Sequence, residues 1–315
     1  MNVEMEYKSD ESDSRLPTTG GPATRHTVPA WRLRLVDYWV LTKPEVNFLV
    51  LISTLVGFYL GERQSLRWAL LLHTLLGTLL VASGTATLNE YMEREWDAQM
   101  RRTAHRPLPA RRLAPAEAFG FGLLLSVLGG LYLALAVNAL ACALALLTLA
   151  SYLLIYTPLK RQTSYCTLVG AFPGAAPPLI GWAAVRGNLS VDAWILYAIV
   201  FLWQFPHFLA IAWMYRQDYA RAGFRMLPEG DEEGRLTARR ILFYSAALLP
   251  AGLLPALAGM AGMAYLLGAL LLGLAFLATS ARLAHTMTNN LARRVLLASV
   301  LYLPLVFALM MLDKA

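Results

Sequence analysis

The sequence predicts an all-α polytopic membrane protein with nine transmembrane helices, on three observations. Of its 315 residues 57% are hydrophobic and only 15% charged, whereas a water-soluble domain carries about a quarter charged residues. Apolar runs of roughly 20 residues recur along the chain, the length a helix needs to cross a bilayer. The basic residues alternate with those runs: 23 of the 27 Lys and Arg fall before the first run or after the second, fourth, sixth and eighth. The positive-inside rule puts those segments in the cytoplasm and the C-terminus outside.

In chain order, residues 1–35 are expected to form a disordered cytoplasmic tail, being polar and rich in Ser, Thr, Pro and Gly with no cleavable signal. Residues 36–315 form the transmembrane domain. Its apolar runs are 46–61, 66–88, 116–137, 140–157, 168–185, 191–213, 241–258, 263–281 and 295–312. Pro173, Pro177 and Pro178 are expected to break the fifth, which a membrane helix tolerates where protein covers the freed backbone groups. The net charge of +7 is spread over short loops, a topology signal rather than a nucleic-acid patch. Cys142 and Cys166 lie in or beside apolar runs and read as buried small side chains without a disulfide role.

Residues 89–109, NEYMEREWDAQMRRTAHRPLP, concentrate the chemistry. Carboxylates (Glu93, Glu95, Asp97) stand beside Arg94, Arg101, Arg102 and Arg106. On a helix Asn89, Glu93 and Asp97 fall at i, i+4 and i+8, along one stripe, with about 6 Å between neighbours. Such oxygen ligands suit a Mg²⁺ that also holds a phosphate, because Mg²⁺ takes only one or two carboxylates and keeps several waters. The arginines suit the remaining phosphate oxygens. The same residues also read as a solvated loop. A second acid-and-arginine loop, 215–240, lies on the same membrane face, so together the two point to a polar cavity there.

The pattern Asn-x3-acid-x3-Asp followed by RxxHRPLP resembles the first motif of the UbiA superfamily of intramembrane prenyltransferases. More narrowly, LTKPEVN (41–47), residues 89–109, YTPLKRQT (156–163) with PGAAPPLIGWAAVRG (173–187), and WQFPHF with DYARAGFRMLP (203–228) resemble the heme O synthase branch. The resemblance runs from about residue 37 to 228 and implies helices arranged around a central cavity, capped by the acid-rich loops. The implied reaction transfers farnesyl from farnesyl diphosphate to a vinyl group of heme b, with Mg²⁺ as cofactor. The product would pass to terminal oxidases, with a heme A synthase as downstream partner. Both substrates reach the site from the lipid bilayer.

Allylic diphosphates react by ionisation, so charge builds on the leaving diphosphate, and metal and fixed cations stabilise it. On this resemblance Asn89, Glu93 and Asp97 hold Mg²⁺, and Asp218 holds a second ion from the facing loop. Lys43, Arg101, Arg102, Arg106, Lys160 and Arg161 clamp the diphosphate. The chain departs from the pattern at Glu93 and Glu95, where Asp is usual, at Gln217 before Asp218, and at Glu45 after LTKP; Glu229, Asp231, Glu232 or Glu233 are candidates for the charge missing at Gln217. His207, an ionisable group in an apolar run, either ligates heme iron or bonds a neighbouring helix. His73 reads as a packing residue. Prenylation of an aromatic quinone precursor and, in a different class, membrane transport are the competing readings.

Overall fold

Prolines, caps and left-handed residues set the element boundaries in the computed structural model, which describes residues 29–315. The tail expected over residues 1–35 lies outside the described residues as far as residue 28. From Ala30 the chain is helical, α1 (Ala30–Leu41). Lys43, left-handed at φ 50°, turns the chain into α2 (Pro44–Gly61), which opens on Pro44, where a missing N–H costs nothing. α3 (Trp68–Asp97) has 30 residues, about 45 Å at 1.5 Å per residue, longer than a hydrocarbon core of about 30 Å. Its last turns therefore carry residues 89–97 beyond the apolar run.

α4 (Pro115–Ala136) also opens on proline. α5 (Ala139–Ser151) is capped by the Asn138 side chain, which accepts from the Ala141 N–H. A π-helical turn, Tyr152–Tyr156, and a last turn, α6 (Thr157–Leu159), complete the fourth span. The fifth span breaks as the prolines dictate, into α7 (Cys166–Gly174) and α8 (Pro177–Arg186). At the break the buried Gln204 amide donates to the Ala171 carbonyl at 3.1 Å, covering a backbone group near the interruption. Then come α9 (Val191–Met214), the short α10 (Arg216–Arg221), α11 (Arg235–Leu257), α12 (Met263–His285) and α13 (Asn289–Leu312).

Among the described residues nine helical segments are long and apolar enough to cross a membrane, in the order the sequence predicts. α1 and α10 are additional, because each is too short or too polar to stand out as an apolar run. α2, α3, α4, α5 and α8 share one apolar core, and α9, α11, α12 and α13 share another, which α2, α7 and α8 also enter. Where α2 meets α8 the backbones nearly touch. A Cβ on Gly57 would lie 2.0 Å from the Pro178 carbonyl oxygen, and one on Gly181 1.9 Å from that of Thr54. Only glycine allows that approach, the means by which helices pack tightly in lipid. Leu124, Leu131, Leu135, Leu154, Phe243, Leu271 and Leu301 stay exposed on the outside and suit contact with acyl chains.

At the end away from the acidic loops, Lys314 Nζ donates to the carbonyls of Tyr59 and Glu62 at the C-terminus of α2. Asp313 accepts from the Tyr265 N–H at 2.7 Å. The last residues thereby tie α13 to α2 and α12.

Candidate active site

The end of α3 carries a buried cluster of charges. Asn89, Glu90, Glu93 and Asp97 are 2%, 1%, 5% and 2% exposed, and each carboxylate meets a cation brought by a different element. Lys43, from the turn before α2, donates to Asn89 Oδ1 at 3.1 Å and lies 3.7 Å from Glu90 Oε1. Arg106, from the loop after α3, donates to Asp97 Oδ2 at 2.8 Å and lies 3.6 Å from Glu90. Lys160, just after α6, straddles Glu93, with 2.8 and 3.1 Å to its two oxygens. Three cations thus face three carboxylates in a closed arrangement.

Local backbone features aim these groups. Buried Asn47 donates to the Thr42 carbonyl and to Ser83 Oγ, both at 2.8 Å, and so fixes the left-handed turn that points Lys43 inward; strain of this kind clusters at functional sites. The π turn shifts register before α6, as π turns at functional sites commonly do. Thr157 donates to the Tyr152 carbonyl at 2.9 Å and accepts from Asn89 Nδ2 at 3.1 Å. Lys160 sits over the Tyr156 ring, 4.7 Å from its centroid. Thr103 Oγ1 donates to the Asp97 carbonyl at 2.9 Å and holds the loop that returns Arg106. Burial pushes Lys43 down to about 8, against the pull of Glu90. Burial also opposes the charge on Lys160, but Glu93 outweighs it and holds Lys160 well above the usual lysine value.

Glu95, grouped with the motif, is an exposed partner of Arg94 at 3.0 Å. The carboxylate that joins Glu93 and Asp97 is Glu90, which sequence reasoning passed over. Glu90, Glu93 and Asp97 stand at i, i+3 and i+7, one helix face, and that spacing was the available signal. Among the described residues Glu90 Oε2 is buried without a hydrogen-bond partner, an oxygen left for a ligand.

The other named residues lie around the cluster rather than in it. Arg102 stacks against Tyr215 and Tyr219, at 5.2 and 5.8 Å. Arg161 is exposed and covers Trp96 at 4.5 Å, and Arg101 is exposed. Asp218 pairs with Arg221 at 3.1 Å and accepts from the Arg102 N–H at 3.3 Å, so it docks the second loop on the first. His207 reaches Ser299 on α13, with Nδ1 2.8 Å from Oγ. His73 packs against Tyr132, with 2.6 Å between Nδ1 and the hydroxyl, as expected.

The donor set tests for Mg²⁺. Asn89, Glu90, Glu93 and Asp97 offer only hard oxygens, with no sulfur or imidazole among them. Among the described residues no group of three or more His, Cys, Asp or Glu stands close enough to hold an ion as it is, because lysine and arginine occupy the carboxylates. Mg²⁺ needs only one or two carboxylates when phosphates and water supply the rest, and Glu90 has an oxygen to spare. The residues fit.

The profile of the UbiA prenyltransferase family matches residues 50–310. A Solibacter usitatus (strain Ellin6076) protein named protoheme IX farnesyltransferase is 53% identical over 287 residues, 88% of this chain and 98% of its own. A protein of the same name from Koribacter versatilis (strain Ellin345) is 48% identical over 292 residues, 89% of this chain and 94% of its own. A solved digeranylgeranylglyceryl phosphate synthase aligns with a TM-score of 0.74 at 17% identity, covering 89% of this chain and 98% of that one. A UbiA homolog from Archaeoglobus fulgidus bound to GPP and Mg²⁺ aligns at 0.59 and 15% identity, covering 87% and 99%. The two structures share the fold, and the family match together with relatives about half identical over most of the chain leaves one assignment: the chain belongs to the UbiA prenyltransferase family.

Proposed function

We infer that the chain is a protoheme IX farnesyltransferase. It transfers the farnesyl group of farnesyl diphosphate to a vinyl group of heme b, giving heme O and diphosphate. The C1–O bond of the farnesyl diphosphate breaks, a carbon–carbon bond forms to the vinyl group, and water supplies the hydroxyl of the product's hydroxyethyl side chain. The observation that carries the reading is the buried cluster of Glu90, Glu93 and Asp97 against Lys43, Arg106 and Lys160 at one end of an apolar bundle. The heme acceptor comes from the relatives, which carry that name across nearly their whole length.

On this reading Asn89 with one or two of Glu90, Glu93 and Asp97 would hold Mg²⁺, which would supply Lewis-acid stabilisation of the leaving diphosphate. Lys43, Arg106 and Lys160 exchange their carboxylate partners for diphosphate oxygens when substrate enters. The cluster is then preorganised: its cations are desolvated and aimed before charge develops. Arg101, Arg102 and Arg161 belong to the rim and guide the diphosphate in. Asp218 closes the second loop over the first, with a second ion as its alternative partner. The apolar walls keep water from the allylic cation. His207 ligates the heme iron from the C-terminal half. The protein sits in a bacterial inner membrane with the cluster toward the cytoplasm and the C-terminus outside.

Transport demands charged groups through mid-span in several helices. Here the charged side chains of the spans lie toward their ends, which disfavours it. Purified protein incubated with heme b, farnesyl diphosphate and Mg²⁺ should yield heme O by mass. Prenylation of a quinone precursor in place of heme would overturn the acceptor assignment. Single cysteines at exposed Glu95 and Glu232 should label from the cytoplasm and one at exposed Asn188 from outside. Labelling of all three from one side would overturn the orientation.

A further inference from the structure

The hydrogen bonds around His207 determine which ring nitrogen carries the proton. Ser299 Oγ lies 2.6 Å from the Leu296 carbonyl oxygen and 2.8 Å from His207 Nδ1. Two oxygens at that separation require a hydrogen between them, and the carbonyl has none. The single hydroxyl proton of Ser299 therefore goes to Leu296. Its lone pair faces Nδ1, so Nδ1 must be the donor. A serine hydroxyl has no second proton to give, and a neutral imidazole protonated at Nδ1 carries its free lone pair on Nε2.

The neighbours of His207 support this assignment. It stacks on Trp203 with 4.9 Å between centroids, lies edge-on to Phe208, and no carboxylate pairs with it among the described residues. Trp203 Nε1 donates to the Ser299 carbonyl at 2.7 Å, so two bonds from α9 converge on one buried residue of α13. Among the described residues no hydrogen-bond partner reaches His207 Nε2, and the side chain is half-buried. That nitrogen is left free inside a span, where an ionisable group invites a functional explanation.

We propose that Ser299 is a positioning residue: it holds His207 in the Nδ1–H form and presents the Nε2 lone pair to the iron of the heme substrate. A hydrogen bond from the second nitrogen of an iron-ligating imidazole fixes the ring and raises its basicity. Free histidine favours the opposite tautomer, so the serine holds the form that is less populated without it. The proposal rests on the reading of heme as substrate and His207 as its ligand.

The test uses the full chain in nanodiscs. With ¹⁵N-labelled histidine and no heme, the His207 signals, identified by their loss in His207→Gln, should report a protonated Nδ1 and a bare Nε2. Ser299→Ala should move them toward the Nε2–H form, and Ser299→Thr should restore the wild-type pattern. A wild-type signal from protonated Nε2 would overturn the proposal without any variant. In heme titrations followed at the Soret band, Ser299→Ala should weaken affinity by about 10- to 100-fold, with Ser299→Thr close to wild type. The bond from Trp203 to the Ser299 backbone survives both changes, so a purely structural role would leave the tautomer in place. Should His207→Gln keep wild-type spectrum and affinity, the ligand reading itself is wrong. A changed spectrum in His207→Gln beside an unchanged Ser299→Ala would sink the positioning role alone.

Discussion

The two acid-and-arginine loops on the same face of the bundle have similar composition and opposite structural fates. Around the end of α3 the carboxylates are buried and their partners come from distant parts of the chain: Lys43, Arg106 and Lys160. In the loop after α9 the ion pairs are local, and apart from that of Asp218 with Arg221 they are exposed. Glu229 binds Arg225 and Glu233 binds Arg235, with carboxylate side chains 76% and 72% exposed. The buried acid of that loop, Asp231, accepts from the Leu236 and Thr237 N–H groups at 2.9 and 2.8 Å, which caps the start of α11. Exposed pairs contribute little to stability, and a helix cap is a folding device. Buried charges held by long-range partners are costly, and on the proposed function they converge where the diphosphate would enter. Burial separates the two loops where composition does not.

Breaking the buried loop should have the largest effect. Asp97→Asn, Glu93→Gln and Glu90→Gln should each lower turnover at least about 100-fold, the scale of losing one preorganised charge-stabilising group, in protein that still inserts and elutes as wild type. Glu95→Gln, one residue off the buried face, should stay within about twofold, since an exposed pair is worth little. Equal losses at Glu90 and Glu95 would erase the distinction. A smaller effect belongs to Thr157→Val, which removes the acceptor for Asn89: about 1 kcal/mol, or roughly fivefold weaker diphosphate binding. Asp231→Ala should lower stability by about 1 kcal/mol, read as a reduced Tm, with turnover per folded molecule unchanged. Smallest of all, Glu229→Gln and Glu233→Gln should change neither by more than about 0.5 kcal/mol.

The spans were legible because apolar runs and alternating basic loops leave a one-dimensional record. The broken fifth span was legible in its prolines, since Pro177 and Pro178 begin a helix more readily than they continue one. The extension of α3 to Asp97 was less visible, because polarity marks where lipid ends and says nothing of where a helix ends. The site was partly legible. Asn89, Glu93 and Asp97 share one buried stripe of α3, while Glu90 beside them went unnoticed, because a charge-dense stretch hides which side of the helix is covered. Thr157 and the π turn at Tyr152–Tyr156 left no sequence signature, since a π turn comes from packing rather than from residue type. Of the six proposed clamps, Lys43, Arg106 and Lys160 reach the cluster; tertiary contacts made that choice.

The central claim, that the buried cluster and not the second loop receives a metal-bound diphosphate, is tested most directly by equilibrium binding of an unreactive farnesyl diphosphate analogue. Titrations would compare wild type, Glu90→Gln with Asp97→Asn, and Glu229→Gln with Glu233→Gln, each with Mg²⁺ and with excess chelator. The account predicts Mg²⁺-dependent binding that the first pair of substitutions abolishes and the second leaves at the wild-type value. Binding that persists in chelator, or that falls with the second pair and survives the first, would contradict it.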